Sequence, residues 1–204
     1  MKRVLSIFAV LLFFILTTSF AMETTFHPPQ TIKTPENFYI TSGSVAIDAP
    51  IIRARSSIED VHTWNEWMLT GLDGSKKTDR FLLVYIMDLL TPAENTLEAV
   101  VDFRFLRNLG KSSEHIPFSL IWQHTNAGDV YKVTASLSKK NAILESAEYE
   151  ITLCERDVGL SINYTATIKF KGFFEFFVTL RTYKNTIEWY LDKIIENFTI
   201  HVKS

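Results

Sequence analysis

Between Leu160 and Phe170 the chain alternates without a break. Leu160, Ile162, Tyr164, Ala166, Ile168 and Phe170 fall on one side, and Ser161, Asn163, Thr165, Thr167 and Lys169 on the other. Successive side chains of a strand point to opposite faces, so this segment has one face to bury and one to wet. A sheet built from such segments must cover its apolar face with another layer. That requirement constrains the fold more than any other feature of the chain.

The same pattern recurs upstream. Phe81 to Leu90 is a nearly continuous apolar run. Leu97, Ala99, Val101, Phe103 and Phe105 alternate with Glu98, Asp102 and Arg104. Phe118, Leu120 and Trp122 share a face, with His124 in phase. After the turn at Asn126-Ala127-Gly128-Asp129, Tyr131, Val133, Ala135 and Leu137 share the next face. Ala147, Tyr149, Ile151 and Leu153 then oppose Glu148, Glu150, Thr152 and Cys154. The connections are short, which predicts antiparallel pairing.

Helical spacing occupies two places. Tyr39 to Ile47 reads as a first strand, and Pro50 then suits a helix start because its missing N–H would be unpaired there anyway. Ile51, Ala54, Ile58, Val61, Trp64 and Met68 recur at three- and four-residue steps, predicting one or two short helices before Gly71. At the other end Leu180, Tyr183, Ile187, Tyr190, Leu191, Ile194 and Phe198 form a helical stripe. This long helix is the one element able to cover the sheet. A twisted sheet of six or seven strands curls, and a curled sheet around one helix leaves a hollow. Its walls would be Phe103, Phe105, Trp122, His124, Tyr131, Tyr149, Ile162 and Tyr164. Tyr183, Ile187, Tyr190 and Ile194 would close it. The same aromatics would equally fill a solid core, because alternation looks alike in both. Trp64 and Trp67 fit either the mouth of a pocket or the packing of a helix onto the sheet edge.

The N-terminus has the order of a secretory signal: Lys2 and Arg3, an apolar run from Val4 to Leu16, then small residues at Ser19 and Ala21. The run is too short for a bilayer span, which needs roughly 20 residues. The sequence therefore predicts cleavage after Ala21, an extended proline-bearing leader over 22–37 with little structure of its own, and one domain over 38–204. Export places that domain in the periplasm or outside the cell.

Composition excludes several function classes. Removing Lys2 and Arg3 from 21 basic residues leaves 19 against 23 acidic ones, and nothing in that balance points to nucleic acid. Cys154 is the single cysteine, so no disulfide can form within the chain. The histidines His27, His62, His115, His124 and His201 make no metal spacing. No residues form a catalytic signature, and no cofactor or metal is expected.

The stretch Val45-Ala46-Ile47-Asp48-Ala49-Pro50, followed by Ile58-Glu59-Asp60 and Trp64-Asn65-Glu66-Trp67, resembles the opening of the START-like, or SRPBCC, superfamily. The strand ladder and closing helix match as well, so the resemblance spans about 38–202. It departs at Ile52-Arg53-Ala54-Arg55-Ser56, where an aromatic is often found. The resemblance implies an α+β helix-grip fold: a curved antiparallel sheet around a long C-terminal helix, enclosing an apolar cavity. It also implies a binder or carrier of a hydrophobic, lipid-like small molecule. Two alternatives stay open: a cyclase-type enzyme acting on an apolar substrate, using His124 or a buried tyrosine as acid or base, and an interaction or structural module with a filled core.

Lys169-Phe170-Lys171-Gly172-Phe173-Phe174-Glu175-Phe176-Phe177 is the most unusual segment. Phe173, Phe174, Phe176 and Phe177 either form a lip that touches a membrane transiently, a boundary that aromatics and lysines favour, or pack as the start of the last helix.

Overall fold

The computed structural model describes residues 25–72, 82–106, 110–124 and 130–204. The expected signal segment 1–21, the end of the 71–75 turn and the turn at 126–129 lie outside the described residues. So does the side chain of Phe105.

The chain begins with β1 (Thr25–Lys33) and β2 (Tyr39–Ile47). Helix α1 (Ile51–Glu59), a single 3-10 turn (Val61–Thr63) and α2 (Trp64–Met68) follow. Then come β3 (Leu82–Leu90), β4 (Thr96–Phe105), β5 (Gly110–His124), β6 (Val130–Leu137), β7 (Leu144–Glu155) and β8 (Leu160–Phe170). The end of the chain is helical: α3 (Gly172–Phe177), α4 (Leu180–Tyr183), a π-helical turn (Lys184–Glu188) and α5 (Trp189–Lys203). The last three run on without interruption. All strand pairs are antiparallel, and the order across the sheet is β1-β2-β8-β7-β6-β5-β4-β3. The sheet curls into a half-barrel around the terminal helix.

The sheet has eight strands where the alternation predicts six or seven. The extra one lies in the proline-bearing leader: Thr25–His27 and Gln30–Lys33 pair with β2, with the register shifting between them at Pro28-Pro29. Proline cannot donate to a ladder, so it is tolerated at an edge strand or a bulge, and β1 is both. The leader is therefore extended but not structureless. β5 also begins earlier than its apolar alternation, at Gly110, where Ser112, Ser113 and Glu114 give no hydrophobic signal.

Inward-facing residues line up in rows across the sheet, and each row meets a different cover. One runs Phe26, Val45, Ile162, Leu153, Tyr131, His124 from β1 to β5. Helix α1 lies over the middle of this row: the Arg55 guanidinium sits 5.2 Å from the centre of the Tyr131 ring, and Ala54 and Ile58 are buried. Its ends, Phe26 and His124, are exposed. Another runs Thr31, Thr41, Ala166, Tyr149, Ala135, Leu120. The terminal helix covers that one.

The helix is anchored at both ends. Near its start, Tyr183 stacks on Tyr39 with ring centres 4.5 Å apart, and Phe170 meets both rings edge-on. Near its end, Phe198 packs on Trp67 at 5.3 Å, and the Asn197 side chain donates to the Met68 and Thr70 carbonyls of the α2 region. The π turn sits between. There the Thr186 hydroxyl donates to the Thr182 carbonyl, competing for an acceptor that regular helix bonding would use. π turns of this kind shift the register of the buried stripe by one residue. Accordingly Tyr190, Ile195, Phe198 and Val202 are the buried residues of α5.

Candidate functional site

The rod and the curled sheet touch at the two anchors and part between them. A cavity of about 210 Å³ occupies the gap. Its walls are Val84, Ile86 and Leu89 of β3, Leu97 to Phe103 of β4 at alternate positions, and Ile116 and Phe118 of β5. Val133 and Ala135, Tyr149 and Ile151, and Tyr164, Ala166 and Ile168 continue the wall on β6, β7 and β8. Ile187, Tyr190, Leu191, Ile194 and Ile195 close it from the helix, and Trp64, Trp67 and Met68 close one end. The interior is therefore hollow, not a filled core.

The room comes from three alanines. Ala135 and Ala166 stand on either side of Tyr149 in the paired register of β6, β7 and β8. Ala99 does the same service on β4, facing Ile116 of β5 and Leu89 of β3. Small side chains on the concave face leave space that no neighbouring residue fills.

The polar atoms of the wall are nearly all turned away from that space. Tyr164 lies across β2, where it is paired with Gly43. A Cβ at position 43 would come within 2.2 Å of the Tyr164 hydroxyl, so the missing side chain is what lets the ring lie down. That hydroxyl is sealed against the strand and has no hydrogen-bond partner among the described residues. Burial, with Asp192 and Glu188 on the helix nearby, pushes it up to about 12. The Tyr190 hydroxyl and Trp67 Nε1 are also sealed from solvent. Trp64 Nε1 donates to the Ile58 carbonyl at 3.2 Å. Glu150 pairs with Lys132 at 2.5 Å. Tyr149 differs: its ring meets Phe118 edge-on at 5.6 Å, and its hydroxyl makes no hydrogen bond among the described residues. Burial alone pushes it up to about 12.

Beside the cavity, at the β1–β2 edge, lies a buried polar chain. The Thr31 and Thr41 hydroxyls are 2.8 Å apart, Thr31 donates to Glu188 on the π turn, and Thr41 reaches the Tyr183 hydroxyl at 3.3 Å. Burial holds the Tyr183 hydroxyl far above the usual tyrosine range. This chain ties the edge strand to the helix; it does not line the cavity.

Of the twelve residues the sequence puts around the hollow, six do line it: Phe103, Tyr149, Tyr164, Ile187, Tyr190 and Ile194. Tyr131 and Ile162 do not, because the middle of their row runs under α1, and His124 ends that row in an exposed position. His124 packs against the Tyr131 ring at 4.7 Å. Trp122 packs half-buried against the core instead, its indole donating to Asn95 at 2.9 Å. Tyr183 belongs to the solid anchor beside Tyr39. Phe105 lies outside the described side chains. The alternation missed Ala99, Ala135 and Ala166 as wall residues, although all three are in phase. The tryptophans Trp64 and Trp67 both pack a helix onto the sheet and face the cavity. Among the described residues no group of three or more His, Cys, Asp or Glu is gathered as a metal site would need.

No protein-family model matches the chain, and no curated protein does. Several solved structures match its shape. A conserved protein from Geobacillus kaustophilus is 13% identical, with a TM-score of 0.53 over 80% of this chain and 95% of that one. A START superfamily protein from Mycobacterium smegmatis is 11% identical, with a TM-score of 0.51 over 80% and 97%. The di-domain ARO/CYC protein StfQ of the steffimycin biosynthetic pathway is 7% identical, with a TM-score of 0.50; the match covers 81% of this chain and 51% of StfQ. At these identities the likeness speaks to architecture alone. Taken with the strand order and the helix lying in the curl of the sheet, it gives the chain a START-like helix-grip fold.

Proposed function

We propose that this protein is an exported, noncatalytic binder or carrier of a compact hydrophobic small molecule, held between the sheet and the terminal helix. The observation that carries the reading is the hydrocarbon-walled cavity of about 210 Å³. Apolar surface of this kind favours an apolar guest over water, which needs two to four polar partners to reside there. Size sets the class. Drug-sized ligands occupy roughly 300–1,000 Å³, whereas an engineered apolar cavity of about 150 Å³ holds benzene. The guest is nearer one or two rings, or a short acyl chain, than a whole phospholipid. A cyclase-type reaction has less support: His124 is exposed and away from the cavity, and burial pushes the lining Tyr149 phenol up to about 12, far from the near-neutral value that acid–base work favours.

Native mass spectrometry of protein purified from its own host is the direct test. A co-purifying apolar guest of one- or two-ring size is expected, and Ala135→Leu, which fills the space, should lose it. Protein that carries no guest and takes up no hydrophobic probe would refute the reading.

Export and membrane contact belong to the same proposal. The N-terminal pattern favours cleavage after Ala21, which N-terminal sequencing of the exported chain checks; a chain still starting at Met1 would overturn it. Phe173 and Phe176 favour a membrane lip: they are 72% and 84% exposed on α3. Phe174 packs against the core instead. Flotation with liposomes should therefore be weakened by Phe173→Ser/Phe176→Ser, and equal flotation of variant and wild type would remove the lip.

A further inference from the structure

We infer that the guest is an uncharged molecule bearing a single hydrogen-bond acceptor, such as a ketone, ester or ether oxygen, which the Tyr149 hydroxyl reads. The inference rests on the binding function proposed above and names the chemical class that the site selects.

Tyr149 projects from the middle of the sheet between Ala135 and Ala166. It lines the cavity and keeps accessible surface. Its place between two other lining residues turns that surface toward the cavity. The other polar groups of the wall are sealed or already bonded, as with Tyr164, Tyr190 and Trp67, whose polar atoms have essentially no accessible surface. Thr165 also borders the cavity, but from an out-of-phase position of β8 whose side chain belongs to the outer face. Tyr149 is thus the one inward-phased wall hydroxyl, among the described residues, that is neither sealed nor bonded. A buried hydroxyl left unbonded is costly, and the lone hydroxyl cannot by itself satisfy a trapped water. A guest oxygen satisfies it. Burial keeps the phenol protonated far above neutral pH, so it donates and the guest accepts.

Charge sets the second half of the inference. Among the described residues no lysine, arginine or histidine lines the cavity. A carboxylate guest would have to enter without a counter-charge, which burial penalises heavily. Asp192 and Glu188, on the helix near Tyr164, add repulsion of the same sign. Fatty-acid anions are therefore selected against, and neutral carbonyl compounds are selected for.

Three probes of equal heavy-atom count separate the possibilities: acetophenone, cumene and benzoate. Titration calorimetry of the purified protein at neutral pH should give acetophenone about fivefold to tenfold tighter than cumene, the worth of one neutral hydrogen bond. Benzoate should bind weakest. Tyr149→Phe should erase the preference for acetophenone while leaving cumene unchanged. Tyr131→Phe, which removes a phenol outside the cavity, should leave the preference intact. Equal wild-type affinity for acetophenone and cumene would overturn the inference while the binding function stands, and this comparison does not depend on any variant folding. So would a preference that survives in Tyr149→Phe, is lost in Tyr131→Phe, or favours benzoate. If none of the probes binds, the binding function itself fails and the inference falls with it.

Discussion

The two halves of the space under the terminal helix are built from similar residues and packed in opposite ways. At the β1–β2–β8 end, Tyr39, Tyr183 and Phe170 stack and interlock, and the hydroxyls of Thr31, Thr41 and Tyr183 are joined in a chain that reaches Glu188. In the middle of the sheet, Tyr149 stands between two alanines with its hydroxyl unbonded, and the helix opposite offers Ile187 and Ile194, both only partly buried. One end holds the rod in place; the other holds it off. The comparison teaches that a hollow in such a fold needs a solid neighbour, because a helix supported nowhere would collapse onto the sheet and fill the space.

The contrast can be broken most severely at the solid end. Tyr183→Ala removes a fully buried ring from an interlocked cluster and should cost about 3–5 kcal/mol in denaturant unfolding, whereas Ile194→Ala, which only enlarges an existing void, should cost about 2 kcal/mol. Equal losses would mean that the two ends are packed alike. Gly43→Ala should follow, at about 1–3 kcal/mol: the new methyl meets Tyr164 and drives its ring toward the cavity, so probe affinity should fall together with stability.

Away from both ends, Asp102 on the outer face of β4 offers a control. The Ser113 hydroxyl donates to it at 2.5 Å and Lys111 lies 3.0 Å away, and these partners, Ser113 first, hold its carboxyl below the usual range. A lowered folded-state value means stability that is present above the unfolded value, near 4, and lost as pH falls through the folded one. Asp102→Asn should therefore cost about 1 kcal/mol at neutral pH. The gap to wild type should close in acid, below about pH 4, as followed by thermal unfolding at several pH values. The smallest stability change is expected for Ala135→Leu, within about 1 kcal/mol, because the added methylenes enter empty space. That variant sharpens the comparison most, since it should lose the guest while keeping the fold.

Much of the ladder was readable in advance. The alternation in Leu160–Phe170 reappears as a strict buried and less-buried alternation in β8, and the stripe from Tyr183 to Phe198 is helical throughout. β1 was not legible because two prolines argue against a ladder, and only its position at the sheet edge makes them harmless. The wall of the cavity was half legible. Phase along one strand tells which residues face inward, so Phe103, Tyr149 and Tyr164 could be named. It does not tell which row a residue joins, so Tyr131 and Ile162, equally in phase, came to lie under α1, and His124 came to lie exposed at the end of their row. Alanines in a strand pattern carry almost no hydrophobic signal, and Ala135 and Ala166 matter only because pairing sets them on either side of Tyr149.

The sequence by itself determined the elements and their inward faces, because alternation and helical spacing are local properties of the chain. It determined, too, that a long apolar helix had to cover an antiparallel sheet. Register, row and cover were decided only in the folded chain. They depend on residues far apart in sequence, such as Gly43 under Tyr164 or Thr31 beside Glu188, and the cavity exists because those distant choices leave the middle of the rod unsupported.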